Sequence, residues 1–400
     1  MMSRAVLATR LLPAQPCVVD GAGSSCRVPA TLVLANVLRN RARLAVALVG
    51  VAFAVFLMVF QASLLVGFIQ AAGHVIRSID GSVWIVPRGV PCFDFSARVP
   101  RRFADLARQT PRVDDVIAVA AGFTTLIRPD GARRAVLLVG AEPRAGSVFP
   151  FPRTLDAVQP PDGLSVDASN AALLGAGSPP TRVEVGGLRA IVVRHVDGFG
   201  SFLGSPYVFA AYRDAHRMLS FGPEETSFLV VRTGRDADAR LVASELQRRV
   251  PEADVLTRDD FASRSANFWL IQTGAGGAIL VAALLGFVIG LVITSQTMYA
   301  STMEQLDEFA TLKAIGAGNA TLARLVLYQS TLVGVSGAAI GVLLPGPLVA
   351  IARGYLVAWI VTPWWLRAGA PLAGVVMCAL GSLASIRRVL GVDPMTVLRR

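Results

Sequence analysis

The sequence predicts an α-helical membrane protein with four transmembrane helices and one large mixed α/β domain, on the external side, between helices 1 and 2. Three observations predict it. Of 400 residues, 54% are hydrophobic and 16% charged, and the mean hydropathy is +0.57, which is too apolar for an ordinary soluble domain. Four runs carry no Asp, Glu, Lys or Arg: Leu44–Gly73, Ser265–Met303, Leu325–Ala352 and Ala368–Ile386. About 20 apolar residues suffice to cross the hydrocarbon core, so each run is long enough or nearly so. Finally, most of the charged side chains fall in one stretch of about 190 residues between the first two runs.

In chain order, residues 1–28 read as a flexible N-terminal tail. Their apolar stretches are short and interrupted by Arg10 and Pro13, unlike a secretory signal. Residues 29–43, with "ATLVLANVLRNRAR", read as an amphipathic helix lying at the cytoplasmic interface. The first span is 44–73, and its helix is expected to continue towards Ser78. The external domain is 74–264. Within it "SVWIVP" (82–87), "VIAVAAGF" (116–123), "AVLLVGA" (135–141) and "TRVEVGGLRAIVV" (181–193) read as strands and hairpins. The strand "TSFLVVRTG" leads into a helix opened by Asp236, with Val242, Leu246 and Val250 on its buried face, and "ADVLTR" returns as a strand. That is a βαβ pattern.

The second span is 265–300. Asp259 is a suitable N-cap and nothing breaks a helix before Gly274, so a stalk is expected to run straight into the membrane. Residues 301–318 form a cytoplasmic helix, 319–352 the third span, 353–367 a short external loop, 368–386 the fourth span and 387–400 a cytoplasmic tail. "LPGP" at 344–347 should kink or unwind the third span. Trp359, Trp364 and Trp365 suit the outer interface. Gly286 and Gly290 in "GFVIG", and Gly337 and Gly341 in "GAAIG", have the spacing that lets membrane helices approach closely.

Orientation follows from the arginines. Arg39, Arg41 and Arg43 precede the first span, and Arg387, Arg388, Arg399 and Arg400 follow the last. The positive-inside bias therefore puts both termini in the cytoplasm. The large loop is nearly balanced, with 24 basic and 22 acidic side chains. The net charge of +11 thus reflects topology more than a nucleic-acid footprint, for which no clustering is found. Only Cys92 of the four cysteines falls in an oxidising compartment, so no intramolecular disulfide is expected.

Several chemistries are missing from the sequence. A P-loop needs GxxxxGK[ST], and the single lysine, Lys313, follows no such loop. No HExxH occurs, and His74, His195 and His216 lack metal-ligand spacing. "DGFGSFLGS" (197–205) does not match GxSxG and reads as a glycine-serine turn. No catalytic residue, metal site or cofactor site is assigned. The spans carry no mid-membrane charge of the sort that ion-coupled transporters use.

The cytoplasmic helix carries the remaining signal. At 100° per residue, Leu306, Phe309 and Ala310 share one side of "MEQLDEFATLKAIG" with Leu312 at its flank, while Glu304, Asp307 and Glu308 lie opposite. Gly316 ends it. A docking helix for a cytoplasmic partner explains both the acidity and the apolar face.

The stretch "EFATLKAIGAGNATLARLVLYQSTLVGVSGAAIG" and the ending "GVDPMTVLRR" resemble permeases of the MacB/FtsX superfamily of ABC transporters. "LANVLRNRARLAVALVGVAFAVFLMVFQ" and "FLVVRTGRDADARLVASELQRRVPEADVLTRDDF" are similar, in order and spacing, to the DevC-like branch. The resemblance implies a large periplasmic domain after the first helix, a homodimer, and a bacterial inner-membrane location. It implies that ATP and Mg are bound by a separate cytoplasmic ABC ATPase and that this chain is non-catalytic. The ATPase would dock on 301–318, with Leu306, Phe309 and Leu312 in its groove, Glu304, Asp307 and Glu308 at the rim, and Lys313 and Gly316 completing the segment. It further implies an exporter of lipid-like or other apolar cargo, working with a periplasmic adaptor (a membrane fusion protein) and an outer-membrane channel. The alternative is an FtsX-like signal transmitter that activates a periplasmic hydrolase and transports nothing.

Overall fold

The computed structural model describes residues 41–142, 160–200, 204–314, 318–347 and 361–391. The expected N-terminal tail and nearly all of the 29–43 helix lie outside these residues. So do most of the loop 353–367, Gly316 and the closing "DP" segment. The chain divides into two compact units.

The first unit takes in the chain as far as Phe60, Ala283–Pro345, and Pro363 onwards. Among the described residues, four helices are long and apolar enough to cross a membrane: α1 (Arg41–Ser78), α6 (Ala275–Glu304), α8 (Asn319–Leu343) and α9 (Trp364–Leu390). Within this unit Ala47, Val51 and Val55 of α1 pack with Met298 of α6, Val333 and Ala338 of α8, and Ala370 and Cys378 of α9. α8 is interrupted at Leu344, a turn residue that keeps helical φ and ψ (−63° and −38°), and helical geometry resumes over 345–347. Pro345 has no N–H to donate to the preceding turn, which is where the ladder breaks. α9 begins at Trp364, earlier than the predicted span, and encloses Pro371. The missing N–H costs one backbone hydrogen bond, which a membrane helix tolerates when its neighbours re-satisfy the freed carbonyl.

The second unit, Gln61–Ala282 with Gly346–Thr362, is built on a nine-stranded mixed sheet. Its strands are β1 (Val83–Pro87), β3 (Val113–Ile127), β4 (Arg133–Ala141), β5 (Gly163–Asp167), β6 (Thr181–Val185), β7 (Leu188–Val196), β8 (Tyr207–Ala211), β10 (Phe228–Thr233) and β11 (Ala253–Thr257). The order is β11-β1-β10-β3-β4-β8-β5-β7-β6, and β3 also pairs with β6. The 15-residue β3 makes this possible. Its first half pairs with β10, its second with β4, and Leu126–Ile127 with Val185–Glu184, closing a ring of six strands. A short ribbon, β2 (Val99–Pro100) with β9 (Glu225–Thr226), lies apart. β6 and β7 form a hairpin through Gly186 and Gly187, with φ of 58° and 79°, the left-handed pair that a two-residue turn demands.

Helices α2 (Arg102–Arg108), α3 (Tyr212–Met218) and α4 (Ala239–Arg249) cover one face of the sheet with Phe103, Ala107, Ala215, Met218, Val242 and Leu246. β10, α4 and β11 are the expected βαβ unit, with β1 inserted antiparallel between the two strands. Val242, Leu246 and Val250 are buried as predicted. The cap differs. Asp238, not Asp236, accepts the N–H of Arg240, because Asp236 lies three residues before the first helical residue, beyond the N-cap position.

The other face receives the ends of the stalks. Val75 and Ile76 of α1 and Ile79 just beyond its end, with Phe261 and Ala262 of α5 (Arg258–Asn267), pack on Trp84, Val119, Leu137, Phe209 and Phe228. α5 is capped by Thr257, which accepts from Asp260 N, so Asp259 is inside the helix and is not its cap. The expected straight stalk is interrupted. Phe268–Gln272 form a π-helical turn, and Gly274, at φ 74°, breaks the backbone before α6. Only a residue without Cβ takes that conformation at no cost.

Candidate functional site

The segment expected to be cytoplasmic starts where α6 ends. The backbone turns over at Gln305, whose carbonyl accepts the N–H groups of Glu308 and Phe309, both at 3.1 Å. The Gln305 amide is buried and its Oε1 receives Gln329 Nε2 of α8 at 3.4 Å. A second short helix, α7 (Leu306–Ala314), follows. Asp307 and Glu308 occupy its first turn, where the helix dipole favours negative charge. Glu304 terminates α6 and so is not part of the short helix.

Which side of α7 faces the chain reverses part of the sequence reading. Phe309 is 2% exposed, packed among Leu322, Leu325 and Val326 of α8 and Val389 of α9, with Leu306 and Ile386 at the margin. Phe309 is therefore enclosed by this chain's own helices rather than offered to a partner's groove, while Leu306 is half-buried at the edge of the same cluster. The amphipathic pattern is real, but its apolar side is covered by this chain's own helices, because burying Phe309 internally removes more apolar area from water than leaving it exposed. Lys313 Nζ donates to the carbonyl of Leu390 at 2.9 Å, satisfying one of the otherwise unpaired carbonyls at the end of α9. Outward lie Asp307, Glu308, Thr311 and Leu312, the last 40% exposed. Any partner would meet an acidic surface with one leucine.

Three of the four glycines singled out in the spans lie in close-packed positions. A Cβ on Gly290 would meet Ala54 Cβ at 2.9 Å and Met377 Cε at 2.8 Å. On Gly337 it would meet Val51 Cγ1 at 2.7 Å, and on Gly341 the carbonyl oxygen of Ala52 at 2.5 Å. Gly286 is buried. These three contacts bring α1 against α6 and α8 within one chain. The sequence reading missed Gly374, whose Cβ would meet Ala338 Cβ at 2.7 Å. The small-xxx-small spacing of Gly374 and Cys378 was its available signal.

In the other unit, the stalk is tied to the sheet by a buried carboxyl group. Asp94 is 1% exposed. Its Oδ1 accepts Tyr207 O–H at 2.7 Å and its Oδ2 accepts Trp269 Nε1–H at 2.9 Å. β8 and the π-turn thus share one acceptor on the loop after β1. Burial pushes the Asp94 carboxyl above its ordinary value of 3.8, against the opposing pull of the two donors. Burial and the Asp94 charge raise Tyr207, and burial raises the Cys92 thiol to about 12, leaving it unreactive. Ser265 Oγ adds a tie to Ala72 O of α1 at 3.1 Å. Among the described residues no three His, Cys, Asp or Glu side chains gather as a metal site would need. His195 Nε2 sits 2.7 Å from Ala176 O, the satisfied strand residue expected.

The chain matches two family models: the MacB-like periplasmic core domain over residues 44–249, and the FtsX-like permease C-terminal domain over residues 280–394. An uncharacterized ABC transporter permease of Mycobacterium tuberculosis is 24% identical over 329 residues, covering 82% of this chain and 87% of the relative. Another, from Mycobacterium bovis, is 25% identical over 364 residues, covering 90% and 97%. Among solved structures, the periplasmic region of MacB from Actinobacillus actinomycetemcomitans aligns at 12% identity over 46% of this chain and 92% of its own, with a TM-score of 0.33. The extracellular domain of the noncanonic ABC-type transporter YknZ from Gram-positive bacteria aligns at 15%, over 44% and 98%, with a TM-score of 0.30.

Proposed function

Because this chain belongs to the MacB/FtsX family of ABC transporter permeases, we propose that it is the membrane subunit of an ATP-driven exporter whose ATPase is a separate chain. The observation that carries the reading is α7. It is clamped into the helical unit by Phe309 and Lys313 and turns Asp307, Glu308 and Leu312 outward. A partner that pushes on this helix pushes on α8 and α9 as well, since its side chains interlock with theirs. The absence of GxxxxGK[ST] from the sequence supports placing nucleotide chemistry on the partner. Complementarity asks for a basic, partly apolar groove on that ATPase.

In this reading the chain works as a homodimer in a bacterial inner membrane, with both termini cytoplasmic, as the arginines flanking the first and last spans suggest. ATP binding closes the ATPase pair, and the motion reaches the external domain through the stalks. The unbroken α1, from Arg41 to Ser78, supports that route. Lipid-like or other apolar cargo then leaves on the external side with a periplasmic adaptor and an outer-membrane channel, the arrangement of the DevC-like branch. Purifying the tagged full chain from its own membranes and identifying its companions tests this. An ATPase with an adaptor supports export. An ATPase with a cell-wall hydrolase and no adaptor would replace it with signal transmission.

A further inference from the structure

The sheet face that receives the stalks does not end in a polar margin. Phe95 and Phe123, 48% and 43% exposed, lie against each other with ring centroids 5.9 Å apart. Phe95 also meets Phe268 at 5.8 Å and stacks on Trp269 at 5.7 Å. Ile271, in the same π-turn, is 75% exposed. Beside them runs an open groove of about 500 Å³ with an apolar wall of Pro91, Phe268 and Ile271, and a polar rim that includes Arg264, Asn267 and Gln272. Arg264 is held in place by Asp254, 2.8 Å away. Soluble surfaces seldom gather several exposed aromatic and aliphatic side chains in one patch.

The composition of α6 says what covers it. Its far end is polar, with Ser295, Gln296, Thr297, Ser301, Thr302 and Glu304, so the ~20 residues that fill the hydrocarbon core are the apolar ones from Ala275 to Thr294. Ile271 and Phe268 precede Ala275 by four and seven residues, at most ~6 and ~10 Å beyond the hydrocarbon edge at helical rise, which is the level of the external headgroups. Aromatic bodies with polar neighbours are the side chains that favour this layer.

We propose that Phe95, Phe123, Phe268 and Ile271 form a membrane-surface contact of the external domain. The glycerol and uppermost acyl segments of an outer-leaflet phospholipid pack on Ile271 and Phe268, and its headgroup lies against the Arg264–Asn267–Gln272 rim. The contact does not depend on the transport reading. It would hold the sheet down on the bilayer at the place where the helix is interrupted.

The test uses the full chain in nanodiscs of phosphatidylcholine and phosphatidylglycerol, with and without lipid spin-labelled near the headgroup. Cys17 and Cys26 are changed to Ser, and Cys92 and Cys378 are buried. An environment-sensitive fluorophore is then placed at Ile271→Cys, at Phe123→Cys, or at Leu241→Cys as a control. Leu241 is exposed on α4, which packs on the opposite sheet face. Spin-labelled lipid should quench the labels at 271 and 123 several-fold more strongly than the one at 241. Thr125→Cys, exposed on the same strand, replaces the 123 variant if that one fails to fold. Quenching at 123 or 125 no stronger than at 241 overturns the proposal. A blue-shifted but unquenched label there also overturns it, because it would mean that a second copy or a partner protein covers the patch.

Discussion

Asp94→Leu should loosen the joint between the external sheet and its stalk. The substitution deletes the one acceptor shared by Tyr207 O–H and Trp269 Nε1–H, both buried. Each donor left unsatisfied costs about 1–3 kcal/mol, so the two together cost about 2–6 kcal/mol. The lower half of that range is expected, because the change also removes a buried carboxyl whose desolvation opposes folding. Asp94→Asn should be close to neutral, since its carbonyl can accept from Trp269 and its amide can donate to the Tyr207 oxygen. The assay is the melting temperature of the purified full chain, followed by the near-ultraviolet tryptophan signal. The pH dependence has a defined sign. Burial raises the folded value above 3.8, so the folded chain holds this proton more tightly than the unfolded chain. The associated stability is fully present below 3.8 and is lost as the pH rises through the raised folded value. Over that window the wild type should lose stability relative to Asp94→Asn, and the two should run parallel outside it. The reasoning is refuted if Asp94→Leu melts with the wild type, or if the wild type and the Asn variant keep the same slope throughout.

Phe309→Ala should destabilise the helical unit by about 3–5 kcal/mol through the cavity it leaves, read as a lowered melting temperature in detergent. An unchanged melt would return Phe309 to the outward role that its wheel position first suggested. Gly341→Val places a Cβ 2.5 Å from the Ala52 carbonyl oxygen, a backbone atom that cannot yield. A loss of about 1–3 kcal/mol is expected, whereas Gly277→Ala, with nothing within 4 Å of the added atom, should leave the melt unchanged. Asp238→Ala should cost about 0.5–2 kcal/mol as a lost N-cap, while Asp236→Ala should be silent in the same denaturation series.

What the sequence revealed, and what it did not, follow one physical line. Charge-free runs announce membrane helices because lipid leaves a polar side chain no partner, and all four were legible. Strands declared themselves where alternation or β-branched runs met glycine turns, as in "TRVEVGGLRAIVV", and the Val242–Leu246–Val250 stripe gave α4 its buried face. The apolar side of α7 was equally visible, but a helical wheel records only that a face is buried. It cannot say whether α8 and α9 or a second protein buries it. The break in the stalk left one trace, Gly274, because "FWLIQ" contains neither glycine nor proline to announce its π-turn. Asp94, Tyr207 and Trp269 are far apart in sequence, so their meeting was hidden. A single acid among apolar and aromatic neighbours in "PCFDF" was the one hint that its carboxyl would be buried.

In the proposed function a separate ATPase works on this chain through the outward face of α7. A photo-crosslinking amino acid placed in turn at Leu312, Asp307 and Phe309 of the full chain, in its native membranes, tests it most directly. The account predicts capture at 312 and 307, but not at 309, of a chain carrying GxxxxGK[ST]. Capture of that chain at 309 but not at 312, or of no nucleotide-binding chain at any of the three, would contradict it.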